Sequence, residues 1–359
     1  MMPPMDDRER LLLRLRDAGQ DAEALEKAAA DGRLATLAVE AALGGPGRHT
    51  LTGVARAAGL STEFLRAVMR ASGRPNPAPR ARVLTDEDVE LAKLLKRFQD
   101  AGLPKEELLE VARVMSQGIA SSAEAVRRMV GDAMLKPGDS EYTVGLRYAQ
   151  AADDLAPLVG PLLGLQFRAH LREAVRGQLV TEAEREAGQL AGTRRVAVAF
   201  ADLVNYTRLG ERLPPEDLGR IASRLSGLAI AAVRPPVQLV KMIGDAAMFV
   251  SADVDPLLDT ILALVESLEA EDEGSFPSLR VGVAYGSATT RGGDWFGATV
   301  NAASRVTNSA KPGRILATGE VRDRAPERDW SRKRRRSLKG VDGRLRLHAL
   351  DRDTGKKDG

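Results

Sequence analysis

Cysteine is absent from this chain, aromatic residues are sparse, and long apolar runs are missing. Without cysteine, the 359 residues can form no disulfide bond, no thiolate metal site and no cysteine nucleophile. Aromatic residues account for only 4% of the chain, so aliphatic and alanine side chains must fill its cores. No apolar stretch approaches the ~18 residues of a membrane-spanning helix, and the N-terminal residues lack the order of a signal peptide. We therefore expect a cytoplasmic protein with no membrane span.

Length and charge indicate a globular protein of at least two domains. A chain of 359 residues is too long for one typical core, and its 43% hydrophobic and 29% charged residues supply both core and surface. The net charge of +3 is small, and much of the basic excess lies in the run RKRRR at 332–336. Such a run can contact nucleic acid or anionic lipid. We favour a solvated basic loop near a phosphate-binding site.

The first half of the chain has a helical pattern, from about Asp7 to about Gly188. Segments such as 86–102 and 105–119 place apolar residues three and four positions apart. Thr85, followed by three acidic residues, predicts a helix N-cap. A charged stretch at 168–190 predicts one helix that leads into the second half. We assign residues 1–188 to a helical domain with this linker helix at its C-terminal end.

From about Thr193 the pattern changes to strands that alternate with helices. This mixture predicts a sheet domain and makes the whole chain an α+β protein. The predicted strands are 195–201, 237–242, 246–251, 279–285, 314–318 and 344–350, and the main predicted helices are 214–232, 255–270 and 298–309.

An acidic residue lies at the C-terminal end of the first predicted strand. The sequence FADLVNYT at 200–207 places Asp202 where a turn opens the next helix. Such a carboxylate can hold a hard metal ion while the backbone N–H groups that follow bind phosphate. It can equally be a helix cap, so this motif alone leaves both interpretations open.

A second acidic residue follows a predicted hairpin turn. In VKMIGDAAMF at 240–249, two short apolar strands flank Gly244 and Asp245, which favours a tight β-hairpin. Lys241 interrupts the first of these strands with a cation. Asp245 is either a turn residue or a second metal ligand, because two aspartates at neighbouring strand ends can hold a pair of divalent ions over a triphosphate.

A polar pair lies on a later predicted helix. In DWFGATVNAASR at 294–305, Asn301 and Arg305 are four residues apart and share one helix face. This pair can orient a sugar and place a guanidinium on a phosphate whose charge rises during reaction. The alternative is an ordinary surface helix.

Together, in this order and spacing, the motifs resemble the catalytic domain of class III adenylate cyclases. The resemblance covers residues 193–352 and implies a ferredoxin-like α/β fold that acts as a homodimer and converts ATP into cyclic AMP and pyrophosphate. The matching segments are FADLVNYT, VKMIGDAAMFV, LRVGVAYG, DWFGATVNAASR and, less closely, SLKGVDGRLRLHAL.

The resemblance also implies a role for each candidate residue toward the metals and the adenine. Asp202 and Asp245 would hold two divalent metal ions, Mg²⁺ or Mn²⁺. The ammonium of Lys241 would bind N1 of adenine, and the carboxylate of Asp294 would accept from the 6-amino group.

The remaining implied roles concern the sugar and the phosphates. Asn301 would orient the ribose and Arg305 would stabilise the pentavalent phosphorus. Lys339 would contact the triphosphate, with Arg344 as a rival. In this family each site spans two chains, with the two metal aspartates on one chain and the adenine, ribose and phosphorus contacts on the other.

Two departures from the family pattern stand out. Asn205 and Tyr206 replace the more usual Gly-Phe after the first metal aspartate, and asparagine accepts left-handed backbone angles better than most residues. Only seven residues, 287–293, separate Gly286 from Asp294, where many relatives carry a longer dimerisation arm.

The helical half has two interpretations. Residues 51–73 show a helix–turn–helix rhythm that resembles MerR-type DNA-binding regulators, although any αα-hairpin can use the same turn. The arrangement of a helical half before a cyclase also resembles actinobacterial cyclases with an N-terminal regulatory domain. We favour regulation over DNA binding.

The alternatives that remain for the whole chain are a transcription regulator with a cyclase-like ligand domain, and a guanylate or diguanylate cyclase. Lys241, Asp294 and the absence of a GGDEF-like run oppose the two cyclase alternatives.

Two features of the helical half suggest regulatory inputs. His170 lies near the linker and can make activity depend on pH. The apolar segment LAPLVGPLLGLQF at 155–167 can form a dimer core or a lipid pocket, of which we favour the dimer core.

Overall fold

The computed structural model describes residues 5–44, 47–176, 192–270, 276–332, 336–337 and 344–351. The chain divides into two compact units, Met1–Arg176 and Gly177–Gly359. Within the described ranges, no helix combines the length and the apolar character needed to cross a bilayer.

The first unit is helical, as the apolar spacing predicts. Of the predicted linker helix at 168–190, residues 168–176 belong to α8 and the rest lie outside the described residues. The helices are α1 (Asp7–Asp17), α2 (Ala22–Ala30), α3 (Leu34–Ala42), α4 (Leu51–Ala58), α5 (Thr62–Ala71), α6 (Asp86–Asp100), α7 (Lys105–Met134) and α8 (Glu141–Arg176).

Side-chain caps fix where several of these helices begin. The hydroxyl of Thr85 accepts from the N–H of Asp88 at 3.4 Å, and the carboxylate of Asp88 accepts from the N–H of Thr85 at 3.0 Å. This reciprocal capping box satisfies two backbone donors that the first turn of α6 leaves unpaired. The N-cap predicted at Thr85 is therefore confirmed.

The helical unit contains two separate hydrophobic cores. One lies among α4, α5, α6 and the start of α7, and the other lies among α1, α2, α3 and the first half of α8. A Cβ at Gly145 of α8 would lie 2.9 Å from the Leu11 side chain and 3.1 Å from the Cα of Ala35. The first half of α8 therefore packs directly against α1 and α3.

The second unit alternates strands and helices. The predicted helices and most predicted strands are confirmed with small shifts at their ends, but the strand predicted at 279–285 continues six residues further, to Arg291. The predicted strand at 344–350 is wrong as one element, because it divides at Arg346. The elements are β1 (Thr193–Leu203), α9 (Tyr206–Leu209), α10 (Pro215–Ala232), β2 (Gln238–Ile243), β3 (Ala246–Ser251), α11 (Val254–Ala270), β4 (Leu279–Arg291), β5 (Asp294–Phe296), α12 (Ala298–Ser309), β6 (Ile315–Thr318), α13 (Gly319–Arg322), β7 (Trp330–Arg332), β8 (Arg336–Ser337), β9 (Arg344–Leu345) and β10 (Leu347–Leu350).

The main sheet has the predicted ferredoxin-like core. Its strand order is β2-β3-β1-β4-β6-β10-β7, with β5 paired to β4, while β8 and β9 form a separate ribbon. β1 runs antiparallel to both β3 and β4, and β6 runs parallel to β4. The path β1-α10-β2-β3-α11-β4 with the order β2-β3-β1-β4 is the split βαβ arrangement. The fold class predicted from the sequence is confirmed.

Helices cover both faces of this sheet. On β1, the odd-numbered residues Ala197, Ala199 and Ala201 pack with α10 and α11. The even-numbered residues Val198 and Phe200 face the side that carries α12. Because side chains alternate along a strand, the even-numbered Asp202 lies on the α12 face.

Two glycines let α12 lie directly on β4. A Cβ at Gly282 would meet the backbone nitrogen of Thr307 at 2.1 Å, and a Cβ at Gly286 would meet the Thr299 hydroxyl at 2.6 Å. The Thr299 hydroxyl also donates to the carbonyl of Ser287 at 2.7 Å. Helix and strand are thereby fixed to each other at two points.

Candidate active site

Asp202 is the penultimate residue of β1, opposite Ala246 of β3 and Arg280 of β4. Its side chain is 17% exposed. The guanidinium of Arg280 lies against one carboxylate oxygen, with Nε 2.7 Å and Nη2 2.5 Å from Oδ2. Arg280 was not among the residues predicted from the sequence. Its only local signal is a cation in the apolar strand LRVGVAYG, the same kind of signal that singled out Lys241.

Asp245 lies beside Asp202 because a hairpin turn is tied to the end of β1. Gly244 has a φ of +60°, which confirms the predicted tight turn, and the Leu203 N–H donates to the Asp245 carbonyl at 3.1 Å. Burial raises the pKa of the Asp245 carboxyl above 3.8, and the negative charge of Asp202 raises it further. A backbone hydrogen bond and the charge of Arg280 oppose this rise. The two carboxylates therefore interact electrostatically.

These carboxylates suit a divalent cation. Hard cations such as Mg²⁺ prefer oxygen ligands, and Mg²⁺ is often bound by one or two carboxylates together with water and substrate phosphates. Across the described ranges, no cluster of three or more acidic, histidine or cysteine side chains is placed to hold a metal. Asp202 and Asp245 thus fit a site whose remaining ligands come from a phosphorylated substrate and water.

The backbone after Asp202 turns through Asn205. Its φ of +64° is the only positive value at a non-glycine residue among those the structure describes. Asparagine enters the left-handed region more readily than most residues, so the turn survives without the usual glycine. The prediction that asparagine can replace glycine at this turn is confirmed.

Lys241 and Asp294 form a second cluster. The Nζ of Lys241 in β2 donates to Oδ2 of Asp294, the first residue of β5. The other oxygen, Oδ1, accepts from the N–H of Trp295 at 2.8 Å. A cationic donor and an anionic acceptor therefore lie side by side in fixed geometry.

The residues between Gly286 and Asp294 form a β-hairpin. β4 continues to Arg291, and Gly292 and Gly293, both with positive φ, turn the chain into β5. Arg291 lies opposite Asp294 in this pair. The short arm noted in the sequence is thus the element that positions Asp294.

Asn301 and Arg305 share the outer face of α12. Ala303, Val306 and Thr307 of this helix are buried, so Asn301 is exposed and Arg305 is half-buried. Within the described part of the chain, neither side chain has a hydrogen-bond or ion-pair partner. The Arg305 guanidinium is therefore available to an anionic ligand.

The candidate residues lie on one face of one sheet but in two groups. On β3, Met248 lies opposite Lys241 and Ala246 lies opposite Asp202, so both candidate side chains share the α12 face.

Three further candidates lie apart from this face or outside the described residues. Lys339 lies outside the described residues, and of Arg344 only the backbone, in β9, is described. His170, the predicted pH input, is exposed on α8.

Two family models match this chain. The adenylate cyclase regulatory domain matches residues 4–175, and the adenylate and guanylate cyclase catalytic domain matches residues 189–351. These matches cover the helical half and the sheet domain respectively.

Curated relatives match across both halves. A pH-sensitive adenylate cyclase of Mycobacterium tuberculosis is 41% identical over 82% of this chain and 76% of its own length. An adenylate cyclase of Streptomyces griseus is 34% identical over 77% of this chain and 68% of its own length. Among solved structures, the adenylyl cyclase CyaB from P. aeruginosa aligns with 45% of this chain and 97% of its own at 19% identity, with a TM-score of 0.39. The sequence relatives, not this structural likeness, support the family assignment.

Proposed function

This chain belongs to the family of class III adenylate and guanylate cyclases, and from that premise we propose that it converts ATP into 3′,5′-cyclic AMP and pyrophosphate. Residues 193–352 form the catalytic domain in this proposal. Residues 1–188 form a regulatory domain that receives an input such as pH or lipid.

The observation that carries the proposal is the pairing of Lys241 with Asp294. Adenine presents an acceptor at N1 and a donor at its 6-amino group, which complement the ammonium and the carboxylate. Guanine presents a protonated N1 and a 6-carbonyl, so the same groups in the same positions oppose it. Because the Trp295 N–H holds the second carboxylate oxygen, Asp294 cannot rotate freely to suit the other base.

Asp202 and Asp245 bind the metals in this proposal. When bound, two divalent ions, Mg²⁺ or Mn²⁺, neutralise charge on the triphosphate and activate the ribose 3′-hydroxyl. Arg280 holds Oδ2 of Asp202 and leaves Oδ1 for a metal ligand bond. Burial is the main cause of the raised pKa of Asp245, and the negative charge of Asp202 adds to it.

The remaining residues act on the sugar and on the reacting phosphorus. Asn301 orients the ribose so that the 3′-hydroxyl attacks the α-phosphorus. A new O3′–P bond forms, and the bond between the α-phosphorus and the oxygen that bridges to the β-phosphate breaks. Pyrophosphate leaves with that oxygen and its electron pair, and the hydroxyl proton is released to solvent. Arg305 places its charge where the pentavalent phosphorus gains negative charge. Lys339 is the proposed contact for the triphosphate, with Arg344 as a rival.

Each active site is completed by two chains in this proposal. Asp202 and Asp245 come from one copy, and Lys241, Asp294, Asn301 and Arg305 come from the other. The two groups on the α12 face then meet their counterparts across a two-fold axis, and a symmetric dimer has two equivalent sites.

The direct test is turnover of ATP and of GTP by the purified full-length chain with Mn²⁺ or Mg²⁺. We expect cyclic AMP as the main product. Asp202→Ala and Asp245→Ala should each abolish turnover while the protein stays folded and dimeric, whereas Asp253→Ala, at an exposed acidic residue of the same unit, should leave it unchanged. Near-normal rates in both site variants would contradict the metal assignment, and a preference for GTP would contradict the base assignment.

A further inference from the structure

Arginine is concentrated in one stretch of the helical unit. Residues 45–85 contain seven arginines and a single acidic residue, Glu63. By contrast, residues 1–44 contain six basic and nine acidic residues, and residues 86–176 contain twelve basic and fifteen acidic ones. A strongly positive segment therefore lies between two segments of net negative charge. Its cations are Arg48, Arg56, Arg66, Arg70, Arg74, Arg80 and Arg82.

These arginines lie at the surface, and most of them are unpaired. Arg66 is half-buried and the other six are exposed. Across the ranges that the structure describes, only Arg74 of the seven forms an ion pair, with Asp88 at 2.5 Å. Asp86, another acid at the start of α6, is hydrogen-bonded to His49 at 2.6 Å. Six guanidinium groups are therefore available to an external anion.

The helices α4 and α5 form a helix–turn–helix. α4 ends at Gly59, which has a φ of +71°, and the side chain of Ser61 caps α5, so a turn of three residues joins them. The inner faces of both helices are buried in one core. Glu63, Arg66 and Arg70 are spaced three and four apart, so they share the outer face of α5. The second helix of the motif therefore presents charged side chains to solvent.

The chain after α5 returns to the start of α4. His49 and Leu84 form a β-bridge, in which each N–H donates to the other's carbonyl, at 2.9 Å and 3.2 Å. A Cβ at Gly47 would lie 2.8 Å from the Arg82 carbonyl oxygen, so the two chain segments pack directly on each other. The backbones of Arg48 and Arg82 are thereby held next to the N-terminal end of α4. We call residues 47–82 the basic region.

The composition of the basic region favours a polyanionic partner. The structure describes all of residues 47–82, and no large apolar side chain among them is exposed. Segments that dock on a bilayer combine cations with exposed leucine, phenylalanine or tryptophan. The energetic centres of protein interfaces are usually aromatic or apolar anchors. The basic region offers neither, and a second copy of it would be repelled by its like charge.

We propose that the basic region binds double-stranded DNA, with α5 in the major groove. In DNA-binding helix–turn–helix units the second helix enters this groove and the first crosses the backbone. An α-helix with its side chains is about 10–12 Å wide and the groove is about 12 Å wide. Arginine side chains can bind guanine edges there, and the carboxylate of Glu63 can accept from the amino group of cytosine.

The remaining arginines bind the DNA backbone in this proposal. Arg48 and Arg82, at the start of α4, are placed to contact phosphates beside the groove that holds α5. Double-stranded RNA fits less well, because its major groove is too deep and narrow for protein side chains. DNA binding goes beyond the proposed reaction, since it uses no catalytic residue. It adds a ligand to the helical unit and does not replace the regulatory role.

Fluorescence anisotropy with the full-length protein and a labelled DNA duplex of about 30 base pairs and mixed sequence tests this inference. We expect a Kd below about 10 µM at about 50 mM NaCl, because non-specific binding is tighter at low salt. Arg66→Gln with Arg70→Gln should raise the Kd at least about tenfold. Arg48→Gln with Arg82→Gln should reduce the slope of log Kd against log salt by about two.

Matched variants separate this site from general positive charge. Arg8→Gln with Arg16→Gln removes two exposed arginines of α1, and Lys333→Gln with Arg334→Gln removes two charges of the basic run at 332–336. Each pair should leave the Kd within roughly twofold of the parent. Melting temperatures and cyclic AMP production without DNA should match the parent in the α5 variant, which separates DNA binding from folding and from the proposed reaction.

Three outcomes would overturn the inference. The first is a duplex that does not bind, or whose binding depends on Lys333 and Arg334 and not on α5. The second is an RNA duplex of the same sequence that binds as tightly as the DNA, because an A-form groove excludes the helix. The third is binding to phosphatidylglycerol vesicles that requires Arg66 and Arg70 while DNA is not bound.

Discussion

The guanidinium of Arg280 holds Oδ2 of Asp202 from a neighbouring strand, with Nε at 2.7 Å. The same cation also acts on Asp245, where it opposes the rise of the pKa. The positive charge of Arg280 therefore acts on two neighbouring carboxylates. Its role in the absence of metal is partial neutralisation of the site.

Replacement of Arg280 by glutamine should therefore destabilise the metal-free protein and increase its response to metal. We expect Tm in a chelator to fall by about 2–4 °C, which corresponds to about 1 kcal/mol for a domain of this size, and the rise on addition of Mn²⁺ to exceed that of the parent. Arg328→Gln, which removes a cation from Asp255 and Asp259 away from the site, is the matched control. Equal metal responses in the two variants would refute this explanation.

The raised pKa of Asp245 gives a pH-dependent prediction. The folded, metal-free protein holds the Asp245 proton more tightly than the unfolded chain, whose carboxyl titrates near 3.8. Stability is therefore lost as pH rises from the unfolded value through the folded one. Asp245→Asn cannot ionise, so it should stabilise the metal-free protein above this window and abolish the gain from Mn²⁺. Melting curves from about pH 4 to about pH 8, with and without chelator, measure both effects.

Base selection should depend on Lys241 and Asp294 together. Lys241→Glu combined with Asp294→Cys removes the groups that complement adenine, and sites of this kind discriminate by leaving polar groups unpaired. We expect kcat/KM for ATP to fall by at least about a hundredfold and the ratio of GTP to ATP turnover to rise. Lys311→Glu, a charge reversal at an exposed residue of the same unit, should change neither. An unaltered ratio would mean that another pair reads the base.

Mixed dimers test whether the two groups of residues act across chains. Asp202→Ala and Arg305→Ala should each be inactive alone. In a mixed dimer one site collects both changes and the other collects none, so random pairing should restore about a quarter of the parent activity. If each site lay within a single chain, mixing the two variants would restore no activity. An inactive mixture in which mixed dimers are shown to form would exclude the shared site.

The helical half should alter the rate. A chain that begins near Ala187 should differ severalfold from the full-length protein in cyclic AMP production, in one direction or the other. The comparison is made between about pH 5.5 and about pH 8, with and without lipid, because His170 and the apolar segment of α8 are the candidate inputs. Identical kinetics under all conditions would leave the helical half without a regulatory role.

Local chemistry explains which features the sequence predicts well. Gly244 and Asn205 occupy left-handed backbone angles that few other residues accept, so the turns at both could be expected from residue type. The long strands and helices follow from their apolar periodicity. By contrast, β5 has three residues, too few to show a period, although it positions Asp294.

The ion pair between Arg280 and Asp202 escaped prediction for a different reason. The two residues are 78 positions apart and meet only because β1 and β4 pair in one register. Nothing near either residue in the sequence specifies that register. The exposed apolar side chains of α7 and α8 could not be predicted either. The sequence shows that these helices are apolar, but not which of their side chains the chain itself leaves exposed.

The contact at Gly282 limits how this enzyme can be controlled. With no room for even a methyl group between β4 and the end of α12, the sheet and the helix move as one rigid part. Arg305 cannot shift toward or away from Asp202 of its own chain unless β4 is deformed. In the proposed dimer, a regulatory signal therefore acts on the gap between the two copies, and the sheet and α12 of each copy keep their relative position.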